Sequence, residues 1–220
     1  NFAGTYQFLS QDGKLLVSSD TNEETGESVF SLWNTSTSKQ IIASVNGSYI
    51  ALSLDGKILI ASEYDKETDS SLIAIWDTGT GTRIGDLIRG FYQTISPDNK
   101  ILVSEYYDSE TDETFLGLWN TGTGKQIGDF IKGSYQAINT DGKVLVTSET
   151  DSETGGDIIG LWDTSTGTKI GEYIKGSIIT ITSEGEVLIT SKDDKDTSES
   201  WIGLWNTRTG KQIGDLIQGS

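Results

Sequence analysis

Tryptophan recurs at Trp33, Trp76, Trp119, Trp162 and Trp205, always 43 residues apart, and Gly4, Gly47, Gly90, Gly133, Gly176 and Gly219 keep the same step. Thr25, Thr68, Thr111, Thr154 and Thr197 recur in phase as well. Five periods therefore fill the 220 residues. A chain of repeated units has no single asymmetric core: each unit must bury its apolar faces against the next copy. The expected organisation is one domain, 1-220, with units 5-47, 48-90, 91-133, 134-176 and 177-219.

One unit, from Gly90 to Gly133, reads FYQTIS, the turn PDNK, ILVS, the acidic loop EYYDSETDET, FLGLWN, the turn TGTGK and QIGDFIK. The apolar runs are short and rich in β-branched residues, and turn signals interrupt each one before three helical turns could form. Four strands per unit follow. The second, such as Ile58, Leu59 and Ile60, is apolar at successive positions, which predicts burial on both faces. The fourth carries a Gly-Asp or Gly-Glu pair in four of five copies, the polar and interrupted character of an outer edge. Four-stranded units of this length, repeated radially, give an all-β fold: a five-bladed β-propeller of four-stranded antiparallel blades.

The segments LWNTGTGK, LWDTSTGT and IAIWDTGTGT resemble the end of the WD repeat, and the Ser-x-Asp-Gly-Lys turn after the first strand is similar to that family too. The resemblance spans the whole chain and implies peptide or protein docking on a propeller face. One departure matters. The Gly-His pair of the family is replaced by Gly47-Ser48 or Gly90-Phe91, and the chain has no His at all. The Asp-His-Ser-Trp network of WD blades cannot form, so another group must hold each Trp.

Every blade is contiguous in sequence, so the ring is expected to lack an interlocking closure strand and to close by packing of blade one on blade five. Copies one, three and five read Trp-Asn where two and four read Trp-Asp, and an odd ring breaks that alternation. A window cut from a longer array is the alternative. The chain opens on Asn, so processing, excision or an incomplete start is expected to have removed any address segment.

The loops between second and third strands span 20–28, 63–71, 106–114, 149–157 and 192–200. They hold 20 of the 33 acidic residues against three lysines, which accounts for the whole net charge of -17. Equivalent propeller loops emerge on one face, so an acidic crown on a neutral body is expected. This charge argues against nucleic-acid partners, and no apolar run is long enough for membrane insertion. Solvation, a calcium site or a basic protein or peptide partner are the readings it leaves. Alternating carboxylates suit calcium, a hard cation, at Asp65, Glu67 and Asp69, at Asp108, Glu110 and Asp112, and at Asp151, Glu153 and Asp157. The EF-hand pattern is not met.

Tyr6, Tyr49, Tyr92 and Tyr135 share one phase on the first strand, where they would either ring a binding mouth or pack between blades. With no His or Cys, neither a serine-histidine triad nor a thiolate nucleophile can be assembled. These features give the expectation of a non-enzymatic protein-binding scaffold. The alternatives are a multivalent lectin binding glycans and a structural subunit of an extracellular assembly or filament, with self-association.

Overall fold

The computed structural model describes residues 4–65, 70–193 and 199–218. They contain strands and turns and no helix, and hence none long and apolar enough to cross a membrane. Five antiparallel sheets follow one another along the chain. Blade 1 consists of Thr5–Leu9, Leu15–Thr21, Ser28–Asn34 and Lys39–Asn46, paired in sequence order. Blade 2 repeats this with Ser48–Leu52, Ile58–Asp65 and Ser70–Asp77, then two short pieces, Thr82–Arg83 and Ile88–Arg89, on the same neighbour. The split falls on Gly85-Asp86, so the polar pair read as an edge feature interrupts the outer strand. Blades 4 and 5 are split likewise, whereas blade 1 has Ile42-Ala43 there and keeps its fourth strand continuous.

Two hydroxyl devices fix the turns. In blade 1, Ser10 Oγ donates to Asp12 Oδ1 at 2.7 Å and accepts from Leu15 N at 2.9 Å, closing the first hairpin from within. Across the blade, Thr35 Oγ1 donates to Gly13 O at 2.7 Å, and Thr78, Thr121, Thr164 and Thr207 repeat the link at 2.6, 2.6, 2.7 and 2.8 Å. Each link ties the turn after the third strand to the turn after the first.

The core lies in the seams between blades. The doubly apolar second strand feeds two seams at once: Leu59 and Ala61 pack with Val17, Phe30 and Leu32 of blade 1, while Ile60 packs with Leu102 of blade 3. Further clusters join blade 3 to blade 4 and blade 4 to blade 5. The expected packing of blade one on blade five is not among them. No cluster of the described residues joins these blades, and no strand is shared between them.

The indoles have found substitutes for the missing His network. Trp33, Trp119, Trp162 and Trp205 each donate Nε1 to a second-strand hydroxyl, Ser18, Ser104, Thr147 and Thr190, at 2.9, 2.9, 3.0 and 2.9 Å. Blade 2 has Ala61 at that position, and Trp76 donates instead to Glu63 Oε1 at 3.1 Å. Arg83 Nη1 lies 3.3 Å from Glu63 Oε2. Half-buried Glu63 has its carboxyl pushed up by burial, against the lowering pull of Arg83 and the Trp76 N–H.

Candidate functional site: the acidic hairpin face

Strand direction alternates in every blade, so the hairpins between second and third strands and the links from blade to blade lie at the same end. The repeated glycine sits in this link at positive φ: Gly47 has φ 139°, and a Cβ there would come within 1.9 Å of Ser62 O. The acidic loops thus border the clefts where one blade hands over to the next.

Between blades 3 and 4 a cleft of about 320 Å³ is lined by Asp112, Glu113, Lys132, Ser134, Ser148 and Glu149. Between blades 4 and 5, one of about 410 Å³ is lined by Asp157, Lys175, Ser177, Ser191, Lys192 and Asp193. Lys132 Nζ lies 2.6 Å from Glu113 Oε1, and Glu113 is the first cause of the raised lysine pKa. The Arg89 guanidinium stands 4.6 Å from the centre of the Tyr106 ring. These bases were missed in the sequence reading, although Arg89, Lys132 and Lys175 share a phase immediately before the repeated glycine. They line the outer edge of the crown because the last piece of the fourth strand pairs with the start of the third, as in Phe115 opposite Lys132 and Ile158 opposite Lys175.

Of the carboxylates suggested for calcium, Glu67 and Asp69 lie outside the described residues. Asp108, Asp112 and Asp151 bond within their own loops, and Asp157 bonds to the next blade. Asp108 Oδ1 accepts from Glu110 N at 2.9 Å, and Asp151 Oδ1 accepts from Glu153 N at 2.8 Å and Thr154 N at 3.1 Å. These backbone N–H groups hold the Asp151 carboxyl below the usual range. Asp112 accepts from the Tyr107 hydroxyl and Asp157 from Ser177 Oγ. Asp65 ends the second strand of blade 2. Among the described residues, no three carboxylates are grouped as a metal site.

The tyrosines part company. Tyr49 and Tyr135 pack into seam clusters, Tyr49 stacked on Phe8 with centroids 5.5 Å apart, and Tyr92 packs into the seam between blades 2 and 3. Tyr6 is 64% exposed. Burial pushes the Tyr49, Tyr92 and Tyr135 hydroxyls up, and burial followed by a hydrogen bond to Glu149 takes Tyr173 to about 12. A phenol whose folded pKa is raised stabilises the fold fully below its unfolded value of about 10, and that contribution is lost as pH rises through the folded value. Denaturant midpoints are therefore expected to fall above about pH 10. The fall should be shallower in Tyr92→Phe, as urea titrations across that range would show.

Neither a protein-family model nor a curated protein matches the chain. Solved structures do. The β-propeller domain of the Trilobed protease from Pyrococcus furiosus, which has an open velcro topology, superposes with a TM-score of 0.55 at 15% identity, over 96% of this chain and 71% of that one. Acylaminoacyl peptidase from Pyrococcus horikoshii gives 0.50 at 16% identity, over 96% of this chain and 39% of that one. A putative dipeptidyl aminopeptidase IV from Bacteroides ovatus gives 0.52 at 15% identity, over 96% and 40%. The chain thus spans about two-fifths of the length of these two peptidases. At such identities the likeness establishes the propeller fold alone, and kinship with WD repeats is not established. It also corrects the functional expectation. These neighbours are peptidases or a protease propeller, and the likeness gives a propeller fold and not a non-enzymatic scaffold, so that expectation, with its lectin and structural-subunit alternatives, is cut back to the fold.

Proposed function

We propose that this chain is the propeller module of a peptide-processing system, receiving basic polypeptide on its acidic hairpin face while a catalytic unit outside these residues breaks the bond. The observation that carries the reading is the placement of charge. In the sequence the whole net charge of -17 belongs to the loops between second and third strands, and the described residues of these loops lie at one end of the blades, beside clefts where carboxylates alternate with Lys132 and Lys175. A single-sign field over concave ground raises the local concentration of an oppositely charged chain and steers its approach. The likeness to peptidase propellers supplies the setting. The absence of His and Cys from the sequence leaves no imidazole base and no thiolate here, so the chemistry is assigned elsewhere.

Fluorescence anisotropy with a Lys-rich and a Glu-rich peptide of equal length tests the reading. The Lys-rich peptide is expected to bind at least tenfold more tightly, and to lose that advantage between about 0.01 M and 1 M salt as the screening length shrinks from about 30 Å to 3 Å. Neutralising Asp108, Glu110, Asp151 and Glu153 to amides should weaken binding several-fold. Equal affinity for the two peptides would sink the role of the crown. Cleavage of the peptide by the purified chain, seen by mass spectrometry, would sink the assignment of chemistry to a separate unit.

A further inference from the structure

Aromatic residues are spread unevenly over the repeats. Blade 3, which has a neighbour on either side, holds seven of the 20, against two to four in each other blade. On its face toward blade 2, Tyr106 stacks on Phe115 with ring centres 5.5 Å apart and meets Phe130 edge-on at 5.0 Å. The guanidinium of Arg89, from blade 2, stands over the same Tyr106 ring. The positions corresponding to Tyr106 hold Asp20, Glu63, Glu149 and Lys192, so this pairing of ring and guanidinium occurs once, at the acidic end of blade 3.

The opposite face of blade 3 carries a second aromatic group at the same end. Phe91 lies directly opposite Glu105, and Tyr107 is two residues beyond Glu105, so the three side chains share one face. It is the face toward blade 4, because Glu105 Oε2 accepts from Tyr135 N at 2.9 Å. Phe91 is 71% exposed and Tyr107 55%. The next strand places Thr114 opposite Tyr107, and Thr114 lines the cleft between blades 3 and 4. The two rings thus continue the wall of that cleft across the first two strands. Carboxylates stand beside them: Asp112, held at φ 58°, accepts from the Tyr107 hydroxyl, and Glu105 sits between the two aromatic positions in the register. The corresponding pairs are Thr5 and Thr21, Ser48 and Tyr64, Ser134 and Thr150, and Ser177 and Asp193, so two aromatics meet here in blade 3 alone.

We propose, resting on the reading of the acidic face as a receiver of basic polypeptide, that Phe91 and Tyr107 form a subsite for an arginine side chain of that polypeptide. The charge of the loops attracts lysine and arginine alike. The rings distinguish them, because a planar guanidinium stacks on an aromatic face while its N–H edge forks onto a carboxylate, whereas an ammonium is a compact and strongly hydrated charge. Two exposed rings beside Glu105 and Asp112 present both halves of that contact. Arg89 over Tyr106 is the same pairing, made within the chain on the other face of the blade. An acidic side chain would meet like charge here, and an aliphatic one would leave the carboxylates unmatched.

Fluorescence anisotropy with Arg-rich, Lys-rich and Glu-rich peptides of equal length tests this on the wild-type chain, on the double variant Phe91→Ser with Tyr107→Thr, and on Tyr107→Phe. The double variant installs residues that other blades carry at these positions, and both sites are exposed, so folding is not at risk. The Arg-rich peptide is expected to bind the wild type about fivefold more tightly than the Lys-rich one. The double variant should bind the two alike, with its affinity for the Lys-rich peptide within about threefold of the wild type. Tyr107→Phe keeps the ring, loses the bond to Asp112 and should keep the preference. Equal affinity of the wild type for the Arg-rich and Lys-rich peptides overturns the subsite, and leaves the crown standing where both outbind the Glu-rich peptide. An arginine preference that survives the double variant, or that vanishes in Tyr107→Phe, overturns it too. A preference abolished by the double variant while Lys-rich and Glu-rich peptides bind alike would uphold the subsite and remove the crown. Failure of all three peptides to bind overturns both.

Discussion

Gly160→Val is expected to destabilise the protein by about 3 kcal/mol, combining overpacking with the loss of a part-buried indole hydrogen bond. A Cβ on Gly160 would stand 2.6 Å from Trp162 Nε1 and 2.8 Å from Thr147 Oγ1, the two atoms that hold each other at 3.0 Å. Blade 1 carries Ser31 at the corresponding position and keeps its indole bond, Trp33 to Ser18 at 2.9 Å, so one Cβ can be admitted there and it is the two further methyls of valine that must displace the indole. For a chain of this size the melting temperature should fall by about 6–12 °C, as calorimetry would show. Gly117 and Gly203 occupy the same place under Trp119 and Trp205. Blade 2 is the natural contrast: Ala74 already puts a Cβ there, the hydroxyl is gone at Ala61, and the indole of Trp76 bonds to Glu63. Valine at position 74 should therefore cost less than valine at 160. Equal losses at the two positions would refute the steric account.

Leu118→Ala is expected to cost about 3 kcal/mol, because it opens a cavity in a seam closed on every side. Leu118 is fully buried within the cluster that joins blades 3 and 4. The same truncation at Leu204, its counterpart in blade 5, should cost less, about 1–2 kcal/mol in dilute protein, since this side chain is already partly exposed. Chemical denaturation of the two variants at low concentration measures the difference. Equal costs would mean that blade 1 of the same chain covers Leu204, and the uncovered seam would be an error.

Much of the fold was legible from local features. Strand length, the turn at Ser53-Leu-Asp-Gly-Lys and the apolar run Ile58-Leu59-Ile60 involve only near neighbours, and the structure follows them. The crown was legible for the same reason: a loop's position in the repeat sets the end of the blade from which it emerges. The bases beside it were missed because Lys132 and Glu113 are 19 residues apart and meet only when the fourth strand pairs with the third. The carboxylates read for metal show the converse limit. Their alternate spacing is also that of side chains capping their own turns, and Asp108 and Asp151 are so used.

By itself, then, the sequence determined five repeats of four strands, seams fed from both faces of the second strand, and a net charge confined to one kind of loop. Each follows from periodicity and turn chemistry within a single 43-residue unit. Only the tertiary structure decided which atom holds each indole, which glycines meet across a seam and which apolar face stays uncovered. The indole's partner depends on how the second and third strands of one blade register, with donor and acceptor 13 or 15 residues apart, whereas the glycine meetings and the uncovered face depend on the angle between neighbouring blades, which no feature inside one repeat encodes.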